Sequence, residues 1–309
     1  MSEAALAASS RETIRKGSKS FAAAAALFDA DVRADAEMLY AWCRYCDDVI
    51  DGQDLGHGMA APDPAAARER LRALYAKTEA ALAGQPMDEP EFAAFQSVAR
   101  GRRIPTRYPL ELLAGFAMDV DARHYRTAED TLEYCWGVAG VVGVMMALVM
   151  GVDPDDLPTL RRAQDLGLAF QLTNIARDVV EDAANGRVYL PADWLAQAGV
   201  AEGAVADPAQ RDGVFAVTQR LLALAEPYYA SALDGLPRLS LRSAWAIAAA
   251  RGVYRQIGLE VLRRGPRAWD TRVSTSSAMK VRLAAEGLWI ALASRGRREA
   301  PRPPLWSRI

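Results

Sequence analysis

The sequence predicts an all-α protein with one domain, and three observations carry that prediction. Apolar residues recur at three- and four-residue spacing through Ala-, Leu- and Arg-rich segments, the period of a helix face. The alternating β-branched pattern of half-buried strands is absent. Glycines and prolines cut the chain into about ten segments of ordinary helix length or somewhat longer. These breaks fall at Gly52–Pro64, Gly84–Pro90, Gly101–Pro109, Gly151–Pro158, Asn185–Asp193, Gly199–Pro208, Gly235–Ser240 and Gly265–Ser274. No linker is long or low in complexity and no repeat of fixed period occurs, so one helical bundle over residues 1–309 fits better than two domains.

A chain of 309 residues, 51% hydrophobic and 25% charged, can bury a large core without disulfides or structural metals. The net charge of −2 gives no reason to expect nucleic acid, so an anionic substrate must be held by local charge. Cys43, Cys46 and Cys135 are too few for a disulfide framework. Cys43 and Cys46 form a C-x-x-C without further zinc ligands, and neither His57 nor His124 belongs to a ligand-spaced pair. Buried helix cysteines are the expectation. The opening residues lack a cationic start followed by an apolar run and cleavage site, so no signal peptide is expected. The expected compartment is the cytoplasm, with peripheral contact at the inner face of the membrane.

Along the chain, Gly17-Ser18-Lys19-Ser20-Phe21 precedes an alanine-rich helix. Its hydroxyls, lysine and amides fit either an N-cap or a phosphate site at a helix N-terminus. The next segment ends a mostly apolar helix with Tyr40, Arg44, Asp47 and Asp51, spaced four, three and four apart on one face. Asp47 and Asp51 repel one another and lie near a helix C-terminus, where the macrodipole disfavours negative charge. Something cationic must offset both costs.

The run from Trp136 to Val152 is the longest apolar stretch, with four glycines; a buried helix is expected there rather than a membrane span. Each glycine costs helix stability, roughly 1 kcal/mol relative to alanine. Close helix packing and a cavity wall for a long hydrocarbon both account for Gly137, Gly140 and Gly143, and the Ala22–Leu27 run is a second candidate wall.

The second carboxylate stripe is Gln171, Asn174, Asp178 and Asp182, spaced three, four and four, with Arg177 beside Asp178. Hard divalent cations take carboxylate and amide oxygens, and Mg²⁺ uses one or two carboxylates alongside substrate phosphates. Either stripe alone also reads as a solvated helix face. A solvated face would carry Lys and Glu partners, whereas these two carry Asn, Gln, Tyr and Arg. Late in the chain, Tyr254, Arg255, Arg272 and Lys280 lie in an arginine-rich region where each, singly, reads as surface charge.

The second stripe belongs to a longer pattern: Leu166-Gly167, Gln171, Asn174-Ile175, Arg177-Asp178 and Asp182, then Arg187, Tyr189 and Pro191. With Tyr134-Cys-Trp-Gly137-Val-Ala-Gly140-Val-Val-Gly143, these residues match two long signatures, and over nearly its full length the chain resembles the squalene and phytoene synthase family. Leu39–Gln53, Ala268–Thr275 and the Pro-Arg-Pro-Pro-Leu-Trp ending look like its bacterial phytoene-forming members. The resemblance implies an isoprenoid-synthase helical bundle with a central apolar cavity. It assigns Asp47 and Asp51 to one metal motif, and Asn174, Asp178 and Asp182 to another. It places Ser18, Lys19, Ser20, Tyr40, Arg44, Gln171, Arg177, Tyr254 and Arg272 against substrate or diphosphate.

The implied activity is a Mg²⁺-dependent prenyl transfer, with Mn²⁺ as a substitute and no NADPH. Two geranylgeranyl diphosphates join through prephytoene diphosphate to phytoene, with released diphosphate or Tyr134 taking protons. Carotenoid-pathway enzymes are the implied partners. Tail residues 296–309 are expected to be loosely ordered except where they dock. A squalene-type or dehydrosqualene-type reaction on farnesyl diphosphate is the alternative, and a non-catalytic prenyl-lipid carrier is a further one. Asp47-Asp48-Val-Ile-Asp51 satisfies the bare D-D-x-x-D box of chain-elongating prenyltransferases, but the second stripe is N-x-x-x-D instead of another such box.

Overall fold

A computed structural model describes residues 6–12, 19–52, 63–297 and 300–309. Residues 6–12 are helical. They are followed by α1 (Lys19–Ala25), α2 (Ala30–Asp51), α3 (Pro64–Leu82), α4 (Pro90–Gly101), α5 (Arg107–Val120) and α6 (Ala128–Cys135). After a π-helical turn at Trp136–Gly140 come α7 (Val141–Val149), α8 (Leu157–Ala184), α9 (Ala192–Gln197), α10 (Arg211–Leu233), α11 (Leu241–Arg264) and α12 (Ser277–Ser294). No strand occurs among the described residues.

The chain's punctuation sets most helix ends. Asp63 caps α3 by accepting from the Ala65 and Ala66 amides at 3.0 and 3.2 Å, with Pro64 supplying the first helical φ. Gly52 ends α2 in the left-handed region, at φ 61°. Thr127 and Asp130 form a capping box at α6. Two breaks were not expected from the sequence, between α1 and α2 and between α5 and α6, and neither contains Gly or Pro. In the second, Ala122 takes φ 48°, and the amides of Ala192 and Asp193 hold the Tyr125 and Arg126 carbonyls at 2.9 and 3.1 Å. Tertiary hydrogen bonds make this turn.

Helix α8 is the axis of the bundle and packs on α7, α10 and α11. The glycines explain how closely. A Cβ on Gly137 would lie 2.6 Å from the Gly115 Cα, and one on Gly167 would lie 2.7 Å from the Gly140 Cα. Backbone therefore touches backbone where α5 meets the π turn and where that turn and α7 cross α8. The apolar run from Ala128 to Val149 is long enough to cross a membrane, yet 72% of its most apolar 18 residues are buried inside the protein. It is the core helix that the sequence led us to expect.

The described tail, residues 300–309, docks on α8. Arg302 forks onto Asp165, a fully buried carboxylate, with N–O distances of 2.7 and 2.9 Å. The Ser231 hydroxyl donates to the same carboxylate, Arg161 holds the Ile309 carbonyl at 2.7 Å, and the Arg308 amide donates to Gln164 at 3.1 Å. Arg302→Ala would leave Asp165 buried without its cation and is expected to destabilise the protein by about 3–5 kcal/mol. Denaturant unfolding measures this, and the Asp165→Leu/Arg302→Met pair should recover much of the loss.

Candidate active site

Helix α2 presents Tyr40, Arg44, Asp47 and Asp51, and α8 presents Gln171, Asn174, Asp178 and Asp182, to opposite sides of one cavity of about 620 Å³. Both sets are one-face stripes because three- and four-residue steps nearly complete a helical turn. The intervening apolar residues, Ile50 on one helix and Leu172, Ile175 and Val179 on the other, bury those helices in the core. Tyr134, Arg177 and Tyr254 line the same cavity. The rest of its lining is largely apolar, with Ala23, Leu27 and Phe28 on one side and Val138, Val142 and Met146 on another. The two readings of the glycine-rich run are therefore both satisfied. Its glycines make helix contacts, and Val138, Ala139 and Val142 between them, with Gly143 itself, form cavity wall.

The cations that the first stripe requires are arginines. Arg44 pairs with Asp47 at 3.2 Å and with Asp48 at 2.8 Å, and Arg187 pairs with Asp51 at 2.5 Å. On the second stripe Arg177 holds Asp178 at 2.8 Å, and the exposed Arg272 approaches Asp178 at 3.6 Å and Glu181 at 3.5 Å. Arg272 thus stands at the rim, outside the cavity lining, while Lys280 lies within it. Ser18 and the side chains of Lys19 and Ser20 lie outside the described residues, as does His57. Residue Lys19 opens α1, whose Ala23–Ala25 segment lines the cavity.

Three groups at the site escaped sequence reasoning. Asp119, on α5, accepts hydrogen bonds from the Tyr134 and Tyr189 hydroxyls at 3.2 and 2.8 Å. Those two rings stack at 4.4 Å. Arg187 and Tyr189 carry part of the long signature, but only the structure shows them reaching Asp51 and Asp119. No spacing signal points to Asp119, a lone carboxylate ending an apolar helix. Burial pushes its carboxyl up to about 6, against the pull of Arg187 and the tyrosine hydroxyls.

The site holds more buried negative charge than its arginines cancel. Burial, then the neighbouring Asp51, Asp48 and Asp119, lift Asp47 to about 7 despite Arg44. The surface that Asp47 keeps opens onto the cavity. Burial and Asp178 likewise lift Asp182 to about 7, against Arg187. Two buried polar atoms also lack a hydrogen-bond partner: the Asn174 Oδ1 acceptor and the Arg44 Nε donor. Among the described residues no three acidic, His or Cys side chains converge on one point. One or two oxygens per point, with an open cavity between, is the donor set of a divalent cation that completes its shell with phosphate and water. The cysteines offer no such set. All three are free, and burial pushes their thiols up.

A pH prediction follows from the raised carboxyls. Between about pH 4 and pH 7 the native protein keeps protons that the unfolded chain has released, so metal-free stability falls as pH rises through that window. Melting in EDTA should occur at a lower temperature at pH 8 than at pH 5.5. Mg²⁺ should raise the midpoint more at pH 8, where it does not compete with those protons.

Comparison with known proteins agrees with this geometry. Residues 14–279 match the family model for squalene/phytoene synthase. The chain is 55% identical over 293 residues to a 15-cis-phytoene synthase of Enterobacter agglomerans, covering 94% of this chain and 98% of the relative. It is 53% identical to that of Pantoea ananas, covering 96% of each. Among solved structures, a dehydrosqualene synthase in complex with ligand superposes with a TM-score of 0.83 at 27% identity, covering 94% of this chain and 98% of the other. A chain with both oxygen stripes on one cavity, matched at these levels over nearly its whole length, belongs to the squalene/phytoene synthase family.

Proposed function

We propose that the protein is a prenyltransferase that joins two geranylgeranyl diphosphates through prephytoene diphosphate to 15-cis-phytoene, releasing diphosphate at each stage. This would be the first committed step of carotenoid biosynthesis. The observation that carries the reading is the pair of oxygen stripes facing each other across an apolar cavity, in a chain more than half identical to two 15-cis-phytoene synthases.

Asp47 and Asp51 on one wall, and Asn174, Asp178 and Asp182 on the other, would hold divalent cations, with Mg²⁺ as the assigned ion and Mn²⁺ as a substitute. When bound, such ions draw charge off a leaving diphosphate. Arg44, Arg177 and Arg272, each paired with a stripe carboxylate, supply guanidinium donors that phosphate oxygens can share. Lys280 and Tyr254 flank that polar end, and Gln171 fixes the Asn174 amide at 3.2 Å. The apolar walls lay one prenyl chain against the other and keep water from the allylic cation. Tyr134 is held protonated by burial and by Asp119. It therefore orients the site, and released diphosphate is the better proton acceptor.

The dehydrosqualene synthase superposition favours one second reading, the equivalent condensation of farnesyl diphosphate. Incubation with each diphosphate and Mg²⁺, without NADPH, followed by mass analysis of extracted lipid, separates the two. A C40 hydrocarbon that disappears with EDTA is expected. Product from farnesyl diphosphate alone would overturn the substrate assignment, and no product from either would favour a prenyl-lipid carrier. A cytoplasmic protein touching the membrane and neighbouring pathway enzymes peripherally fits hydrocarbon substrates and products.

A further inference from the structure

Helix α12 has three faces with different surroundings. Lys280 and Ala284 line the cavity. Leu283, Gly287, Ala291 and Ser294 are buried, with Gly287 against the α11 backbone at Ala249. The third face carries Val281, Trp289 and Leu292, which are 72%, 72% and 48% exposed. With the exposed Ala285 they form one stripe at i, i+4, i+8 and i+11. Leu241, also exposed, is brought to the end of this stripe because α11 and α12 form a hairpin, closed where Arg295 donates to the Leu239 carbonyl at 2.7 Å. Leu259 and Leu262 extend apolar exposure along α11. Solvent-exposed large side chains in a continuous patch mark an interaction surface.

Charge indicates what covers it. From Leu241 to Ser294, the α11–α12 hairpin has 9 Lys and Arg against 3 Asp and Glu, a net charge of +6, whereas the whole chain carries −2. Arg251, Arg255 and Arg282 line the groove between α11 and α12, beside Leu259 and Ile290, where Arg255 also pairs with Glu226 at 2.9 Å and Arg282 with Glu286 at 2.7 Å. A second copy of the chain docked through this face would set like charge against like charge. An anionic lipid surface complements it, since apolar side chains enter the acyl boundary while arginines meet headgroup phosphates.

We propose that α12 is a membrane-docking helix that lies in the headgroup layer of an anionic bilayer, with Val281, Trp289 and Leu292 inserted and the α11–α12 arginines on lipid phosphates. Its inner face is cavity wall, so docking places the hydrocarbon site one helix away from the lipid phase. The biological use of this surface rests on the prenyl-lipid reading above, whereas the binding itself needs no turnover.

The test uses the full chain with phosphatidylcholine vesicles, alone or mixed with phosphatidylglycerol, without substrate or Mg²⁺. Wild type should sediment with the anionic vesicles, less with neutral ones, and should be released by salt. Val281→Glu/Trp289→Glu should weaken that binding on the order of tenfold or more, with unchanged prenyl transfer in detergent and unchanged circular dichroism. Trp289→Phe should keep binding yet lose fluorescence quenching by brominated acyl chains. Equal vesicle binding by wild type and the double Glu variant would overturn the proposal, as would no binding of wild type to anionic vesicles. A double variant that splits a solution dimer while still binding vesicles would assign the stripe to self-association instead. Wild type that binds vesicles but makes no phytoene would remove the preceding functional reading and still support this one.

Discussion

Asp178→Ala is expected to lower prenyl transfer on the order of a thousandfold while leaving the fold intact. Asp178 is half-buried on the cavity side of α8, holds Arg177 at 2.8 Å and draws Arg272 to 3.6 Å. Its removal takes one oxygen ligand from the second stripe and frees two guanidinium groups from their positions. The loss falls on the step in which diphosphate departs, so turnover should drop far more than substrate binding. Steady-state kinetics separates the two, and a Mg²⁺ titration of thermal stability should show weaker binding in the variant. A variant with normal turnover, or with lost turnover and unchanged Mg²⁺ stabilisation, would remove Asp178 from the ligand set. Asp47→Ala should behave alike from the opposite wall.

Gly167→Ala is expected to destabilise the protein by roughly 3 kcal/mol or more, a large effect for one methyl group. The added Cβ would meet the Ala139 carbonyl and the Gly140 Cα, which are backbone atoms with no rotamer to change. Relief requires α8 to move away from the π turn, and Val138 and Ala139 of that turn line the cavity. Activity should therefore fall together with stability. Gly203→Ala is the control, since nothing lies within 4 Å of a Cβ there, and it should change stability by about 0.5 kcal/mol or less. Equal denaturation midpoints for the two variants would mean that the crossing is looser than described.

How much of this was legible depended on whether the signal was local. The two stripes could be read because three- and four-residue spacing is enough to place side chains on one helix face. Their meeting on one cavity follows from how the other helices of the bundle hold α2 and α8 apart, and the long family signature stood in for that information. Asp119 was illegible for the complementary reason. It ends an ordinary apolar helix, and its partners Tyr134 and Tyr189 lie 15 and 70 residues away. Lys280 and Arg272 come from the same arginine-rich region, and composition could not separate the one in the cavity from the one at its rim. The turn between α5 and α6 was missed because its left-handed residue is alanine, held by hydrogen bonds from residues 192 and 193.

The backbone-to-backbone crossing of α8 with the π turn also limits how the cavity can be remodelled. Where glycine meets backbone, the wall has already been reduced to main chain, and no side chain remains to be trimmed to admit a longer prenyl group. New room must come from the bulky residues elsewhere in the lining, such as Met146, Met150, Phe28 and Phe116. Selection for altered product length should accordingly collect substitutions at those positions and leave Gly137, Gly143 and Gly167 untouched.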